Sequence, residues 1–280
     1  LTVHSDVSLG AGARRVDIRT HFLNTARDHR LQATFPLGAP AATSAAESMF
    51  EVVERPTLRP TFETEVGEPA VDEHPQQAFG SASDGRRGLT IANRGLPEFS
   101  CSPDGVLAVT LLRAVGWLSR GDLRSRAGDA GPALPTPEAQ VLGPVEARYS
   151  IVPHAGTWDR ARAHLEAHAF NADALAVAAN PQGLPLPLRE APARDLPTAG
   201  VLVDVTGDVV VTAIKRAEES EQLLVRVLNE SAVPVRVGVR PRRGWAAARL
   251  VNLREEVLEE LQEPELTMRP WQLATFAFAF

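Results

Sequence analysis

Alternation of apolar and polar side chains with a period of two residues is the feature that most constrains how this chain can fold. In the last segment Phe276, Phe278 and Phe280 alternate with smaller residues, and the run 16–22 alternates Val, Ile, Thr and Phe with charged or histidine side chains. Successive side chains of a β-strand point to opposite faces, so both runs predict half-buried strands. The chain is therefore predicted to be built from sheets.

Other short runs rich in β-branched residues predict further strands. They cover residues 88–92, 106–112, 147–152, 201–204, 209–214, 223–228 and 233–239. The run 14–35 carries two alternating halves around a polar turn at 25–28, which predicts a β-hairpin. An apolar sheet face must be covered, so many short strands joined by Gly- and Pro-containing turns predict an all-β sandwich architecture.

Helical periodicity is scarce in this sequence. One helix is predicted over residues 158–170, with Thr157 as its N-cap. Five prolines between residues 180 and 198 resist both helix and central strand, so this stretch is predicted to be a linker. The stretch 121–144 predicts a long surface excursion, and the segment 254–262 fits a short helix and an irregular strand equally well.

Charge, hydropathy and cysteine content exclude several classes of protein. A net charge of −6 gives no electrostatic reason to expect nucleic-acid binding. No uninterrupted apolar segment approaches the ~20 residues of a membrane helix. The lone cysteine, Cys101, excludes an intramolecular disulfide and favours a reducing, cytoplasmic compartment, where we expect it to be a buried thiol. The chain opens at Leu1 inside a strand-like run, which predicts that it is a piece of a longer protein.

Residues that could carry catalysis or hold a metal do not form a recognisable constellation. The seven histidines show no zinc-binding pattern. His164 and His168, at spacing i and i+4, could share a metal, but the favoured interpretation is two exposed histidines on a helix surface. The adjacent carboxylates at 218–219, 255–256 and 259–260 would point to opposite faces of a strand and are predicted to be solvated. We therefore predict no catalytic and no metal-ligating residue in this chain.

The most concentrated polar loops flank the predicted strand 88–92. Asp84 and Gly85 form a strong turn signal, and Asn93 to Gly95 could form a second turn, so a plain hairpin is one interpretation. The other is a sugar-binding edge, because planar amide, guanidinium and carboxylate groups fix polyols. On that interpretation Asn93, Arg94 and Glu98 are the candidate substrate-binding residues.

An ordered series of short motifs resembles a known family. The motifs are NTARDHRL (24–31), VERP (53–56), NRGLPE (93–98), VTLLR (109–113), PHAGTW (153–158), AIKRAE (213–218) and VRVLN (225–229). Their succession resembles the C-terminal region of α-mannosidases of glycoside hydrolase family 38. The motifs LRAVG (112–116) and GDL (121–123) are most similar to the bacterial branch that includes mannosylglycerate hydrolase.

The resemblance implies a fold and a role. It implies a galactose-mutarotase-like supersandwich over residues 1–198, followed by a smaller β-sandwich over residues 199–280. Family members are retaining glycosidases whose zinc ligands and aspartate nucleophile lie in an N-terminal β/α domain, and none of those motifs occurs here. The chain is thus expected to be an inactive part without its own cofactor. Its expected partners are the catalytic domain of the parent chain and an α-mannoside.

Two rival functions stay open at this stage. The first is a free-standing carbohydrate-binding or scaffold module, for which Trp117 and Trp245 are candidate sugar platforms because Trp158 and Trp271 resemble core residues. The second is a mutarotase-like epimerase, which needs a paired histidine and glutamate in a cleft. Its candidate histidines are His29, His74 and His154. A face left open for the catalytic domain would also favour self-association into a homo-oligomer.

Overall fold

The computed structural model describes residues 1–58, 71–123, 128–175 and 199–280. It divides the chain into two compact units, Leu1–Asn171 and Ala172–Phe280. All strand pairs in both units are antiparallel, and the predicted all-β fold is confirmed. The predicted linker 180–198 lies outside the described residues, so the predicted boundary at residue 198 stays a prediction. No helix in the described part of the chain has the length and apolarity needed to span a bilayer.

The described part of the larger unit contains eleven strands and one α-helix. They are β1 (Val3–Ser8), β2 (Val16–Asn24), β3 (His29–Pro36), β4 (Thr43–Ser48), β5 (Glu51–Pro56), β6 (Glu73–Pro75), β7 (Phe79–Ser83), β8 (Arg87–Asn93), β9 (Glu98–Cys101), β10 (Val106–Ala114), β11 (Gly143–Ala155) and α1 (Ala163–Asn171). One sheet has the order β1-β2-β11-β8-β7-β4-β5, and the other has the order β3-β10-β9-β6.

The two sheets of the larger unit pack face to face over one apolar core. Ile91 and Tyr149 from the seven-stranded sheet and Phe99 and Leu107 from the four-stranded sheet belong to the same buried cluster. The alternation seen in the sequence thus marks the inward faces of both sheets. Burying such side chains contributes roughly 1.5–3 kcal/mol each to folding.

The predicted hairpin over residues 14–35 is wrong. Strand β2 pairs with β1 and β11, whereas β3 pairs with β10 in the opposite sheet. The polar turn carries the chain from one sheet to the other, with Asp28 at φ 50°. Gln140 holds this corner, because its Oε1 accepts from the Asp28 amide and its Nε2 donates to Asp28 Oδ1, both at 2.8 Å. Alternation shows which face of a strand is buried but not which strand lies beside it.

Helix α1 begins five residues later than predicted. Residues 157–162 form turns that end at Arg162, whose φ of 56° interrupts the helical geometry. The helix lies against β8 and β11, while Trp158 packs on Phe79, with ring centroids 5.6 Å apart. Both sides of β8 are consequently buried, which explains its nearly continuous apolar run.

The smaller unit is a second sandwich. Its strands are β12 (Val203–Thr206), β13 (Val210–Arg216), β14 (Leu223–Leu228), β15 (Val235–Pro241), β16 (Ala247–Val251), β17 (Val257–Leu261), β18 (Glu265–Met268) and β19 (Leu273–Ala279). A three-stranded sheet β12-β15-β18 packs on a five-stranded sheet β13-β14-β19-β16-β17. The rings of Phe276 and Phe278 are fully buried between them, whereas Phe280 follows the strand and is 47% exposed.

Cys101 is buried in the core of the larger unit, as predicted. Burial raises the pKa of its thiol to about 11, since the thiolate is poorly solvated there. The neutral thiol therefore favours the folded state below the ordinary thiol pKa of about 8.5, and this contribution is lost as the pH rises towards 11. Cys101 is a structural residue in this fold.

We predict that Gly80→Ala destabilises the larger unit. A Cβ at Gly80 would lie 2.5 Å from the Phe99 ring, so the ring or the opposed sheets must shift. Such overpacking costs about 1–3 kcal/mol in the free energy of unfolding, measurable by urea denaturation. Gly10→Ala is the matched control, because its Cβ would make an ordinary 3.6 Å contact. Equal stabilities of the two variants would contradict this account of the sheet spacing.

Candidate functional site

Asn93, the first predicted sugar ligand, is almost completely buried at the end of β8. Its Nδ2 donates to the Gln77 carbonyl at 2.8 Å, and its Oδ1 accepts from the Leu96 amide at 2.8 Å. Only 1% of the residue is exposed. The amide group therefore closes the turn that leads from β8 to β9 by satisfying backbone groups.

Arg94, the second predicted ligand, anchors the end of helix α1. Its Nε donates to the Phe170 carbonyl at 2.9 Å, and Nη2 donates to the same oxygen. The guanidinium carbon also lies 4.9 Å from the centroid of the Phe170 ring. The last carbonyls of a helix lack partners within the helix, so this arginine satisfies one of them with a charge-assisted bond.

Glu98, the third predicted ligand, lies on the outer face of the four-stranded sheet. Its Oε1 accepts from Thr110 Oγ1 at 2.6 Å and lies 3.5 Å from Arg30 Nη1, while its Oε2 lies 3.8 Å from Arg113 Nη1. Arg30 also contacts Glu73 at 2.5 Å. We call these five residues the charged face.

The charged face is the candidate functional site, because its polar groups are ordered and still reach solvent. The side chain of Glu98 is 23% exposed and that of Arg113 is 63% exposed. Asn93, Arg94 and Glu98 thus contact three different sets of partners, and their role as sugar ligands stays a prediction. Sequence reasoning did not single out Arg30, Glu73, Thr110 or Arg113. The outward positions of alternating strands are the signal that could have found Arg30.

The prediction that His164 and His168 are both exposed is wrong. His164 is 5% exposed, and its ring lies edge-on to Trp158 with centroids 5.4 Å apart. His168 is partly buried, and its Nε2 lies 3.9 Å from Glu47 Oε1. Helix α1 packs on the sheet, so this i, i+4 pair faces the protein instead of solvent.

Arg236 and Arg240 lie on β15, and Arg242 follows this strand directly. Strand β15 is the central strand of its sheet, between β12 and β18. Arg236 and Arg240 both contact Glu265, at 2.5 and 2.9 Å, and Arg242 contacts Asp204 at 2.6 Å. Carboxylates on the neighbouring strands compensate these charges, which leaves little attraction for an anion.

The epimerase alternative requires a paired histidine and glutamate, and two of its candidates do not form one. Nε2 of His154 lies 3.0 Å from Thr90 Oγ1. The ring nitrogens of His29 are buried and have no hydrogen-bond partner among the described residues. The described geometry therefore does not favour an epimerase built on either residue.

Comparisons with known proteins place the fold in a family. Residues 1–130 match the model of the glycosyl hydrolases family 38 C-terminal domain, and residues 208–276 match that of the family 38 C-terminal beta sandwich domain. A protein of Halalkalibacterium halodurans named "Putative mannosylglycerate hydrolase" is 30% identical over 282 residues, which cover 99% of this chain and 28% of that protein.

Two solved structures from Enterococcus faecalis are also similar. One is an alpha-mannosidase, with 28% identity and a TM-score of 0.75, and it is matched over 99% of this chain and 28% of its own. The other is a protein in glycosyl hydrolase family 38, with 28% identity and a TM-score of 0.74, matched over 99% of this chain and 29% of its own.

The fold and the family matches agree on the class of protein. A two-sheet sandwich followed by a smaller β-sandwich, matched by two C-terminal domain models in the same order, defines the C-terminal region of a glycoside hydrolase. The chain belongs to glycosyl hydrolase family 38 and corresponds to its C-terminal region. It spans 28% of the length of the curated relative.

We predict that Arg94→Ala lowers the free energy of unfolding by about 1.5–3 kcal/mol, because it removes charge-assisted bonds to the end of α1. Arg94→Lys should recover only part of this loss, since an ammonium cannot form the same planar fork. The control is Arg148→Ala, whose exposed ion pair with Glu146 should contribute less than about 1 kcal/mol. Urea denaturation measures all three, and an Arg94→Ala variant as stable as the parent would contradict the anchoring role.

Proposed function

We propose that this chain is the non-catalytic C-terminal part of a zinc-dependent retaining α-mannosidase. It packs on the N-terminal catalytic domain of the same polypeptide and completes the substrate cleft. The observation that carries the proposal is the coverage: two C-terminal family models lie along a chain that spans 28% of a relative named as a mannosylglycerate hydrolase. The substrate is an α-mannoside, with mannosylglycerate as one candidate.

The charged face supports a binding role over a chemical one. Thr110 and two arginines hold the Glu98 carboxylate in a fixed position, where its oxygens can accept hydrogen bonds from sugar hydroxyls. Arg113 carries guanidinium N–H donors on an exposed side chain. Both groups are suited to orient a polyol, which would lower KM without supplying a nucleophile or an acid.

Zinc belongs, in this proposal, to the catalytic domain. Glu73 and Glu98 both contact Arg30, so their carboxylates are already compensated, and no imidazole or thiolate joins them in the charged face. This set of donors does not fit zinc, which prefers nitrogen and sulfur ligands. A cytoplasmic location, carbohydrate binding and homo-oligomerisation stay predictions.

An activity assay tests where catalysis lies. The 280-residue chain and the full-length polypeptide encoded by its gene are each assayed with an aryl α-mannoside, with added zinc and with a chelator. We expect turnover by the full-length protein only, lost with the chelator and restored by zinc. Turnover by the 280-residue chain at a rate comparable to the full-length protein would show that catalysis lies within it.

A further inference from the structure

A groove opens where the chain leaves the end of β10. The segment that follows this strand and the corner between β2 and β3 line a cavity of about 630 Å³, bordered by Asp28, His29, Arg30, Arg113, Trp117 and Arg120. We call it the Trp117 groove. Arg30 and Arg113 belong to both the groove and the charged face, so the two surfaces are continuous.

Trp117 is the most exposed of the four tryptophans. It is 45% exposed, whereas Trp158 is 7% exposed and Trp245 packs edge-on against the Phe278 ring at 5.8 Å. The backbone around Trp117 is nevertheless fixed. It bridges to Pro135, and the adjacent Leu118 amide donates to the Leu134 carbonyl at 2.9 Å. An exposed indole on an ordered backbone is a suitable platform for a flat apolar ligand surface.

The ring of His29 also belongs to the wall of the groove. Both ring nitrogens are buried and have no hydrogen-bond partner among the described residues. Because these nitrogens are not accessible to solvent, a ligand in the groove cannot reach them, and His29 contributes to the wall of the groove without bonding to the ligand.

The guanidinium groups around the groove favour an uncharged ligand. Arg120 is held by Asp122, with Nε to Oδ1 at 2.8 Å and Nη2 to Oδ2 at 2.5 Å, and Arg30 contacts Glu73 and Glu98. Their charges are compensated, so a phosphate or carboxylate gains little there. Each guanidinium has five N–H donors, however, and the carboxylates leave some of them free for neutral acceptors.

We propose that the Trp117 groove binds a neutral hexose. The apolar face of the sugar ring stacks on Trp117, and its hydroxyls bond to Arg113. The choice of a mannoside among hexoses rests on the proposed function, but the groove and its platform do not. The site would hold the sugar without reacting with it.

The test is a titration of the 280-residue chain with methyl α-mannoside, followed by calorimetry and by saturation-transfer NMR. We expect Trp117→Ala to weaken binding about tenfold, because the stacking surface is lost, and Trp117→Phe to keep most of the affinity. Arg113→Ala should weaken binding severalfold, whereas Arg148→Ala, which removes an exposed arginine paired with Glu146 elsewhere, should not. Thermal unfolding of each variant separates lost binding from lost folding.

Parallel titrations with methyl α-glucoside and methyl α-galactoside separate two questions: whether the groove binds a hexose, and whether it prefers mannose. Binding of any of these sugars that depends on Trp117 supports the groove. Equal affinities for all three would support the groove and contradict a preference for mannose. Absence of binding to the parent chain, or unchanged binding by Trp117→Ala, would overturn the proposal. Neither result would affect the assay that locates catalysis.

Discussion

The contact between the Phe99 ring and Gly80 determines how closely the two sheets of the larger unit approach. Phe99 projects inward from the four-stranded sheet, and only a glycine on the facing strand leaves room for its ring. When the two sheets pack together, one side of the four-stranded sheet is buried and the other faces outward. The outward side carries Arg30, Glu98 and Thr110. The candidate site is therefore a consequence of core packing, since its residues alternate along strands whose other side is buried.

Local patterns predicted much of this architecture. The inward rings of β19, the buried Cys101 and the β8 strand could be read from periodicity or composition, because burial of one face leaves a period of two. Which strands pair with each other could not be predicted from local patterns. The 25–28 turn connects two sheets because Gln140, far away in sequence, holds Asp28 in its conformation. Long-range bonds of this kind leave no trace in a local pattern.

The candidate site was only partly predictable for the same reason. Asn93, Arg94 and Glu98 are close in sequence and chemically suited to sugars, yet Asn93 serves a turn and Arg94 serves a helix end. Glu98 differs because its side-chain partners come from two other strands, β3 and β10. The partners of a charged side chain on a strand lie on neighbouring strands. They can therefore be identified only when the order of strands in the sheet is known.

We propose that this region contributes to substrate binding and not to the chemical step. Steady-state kinetics of Glu98→Gln in the full-length enzyme test it most directly, with Glu146→Gln, which loses a comparable contact to Arg19, as the control. The account predicts that Glu98→Gln raises KM for an α-mannoside about fivefold at unchanged kcat, because a neutral amide is a weaker acceptor. An unchanged KM, or a loss confined to kcat, would contradict it.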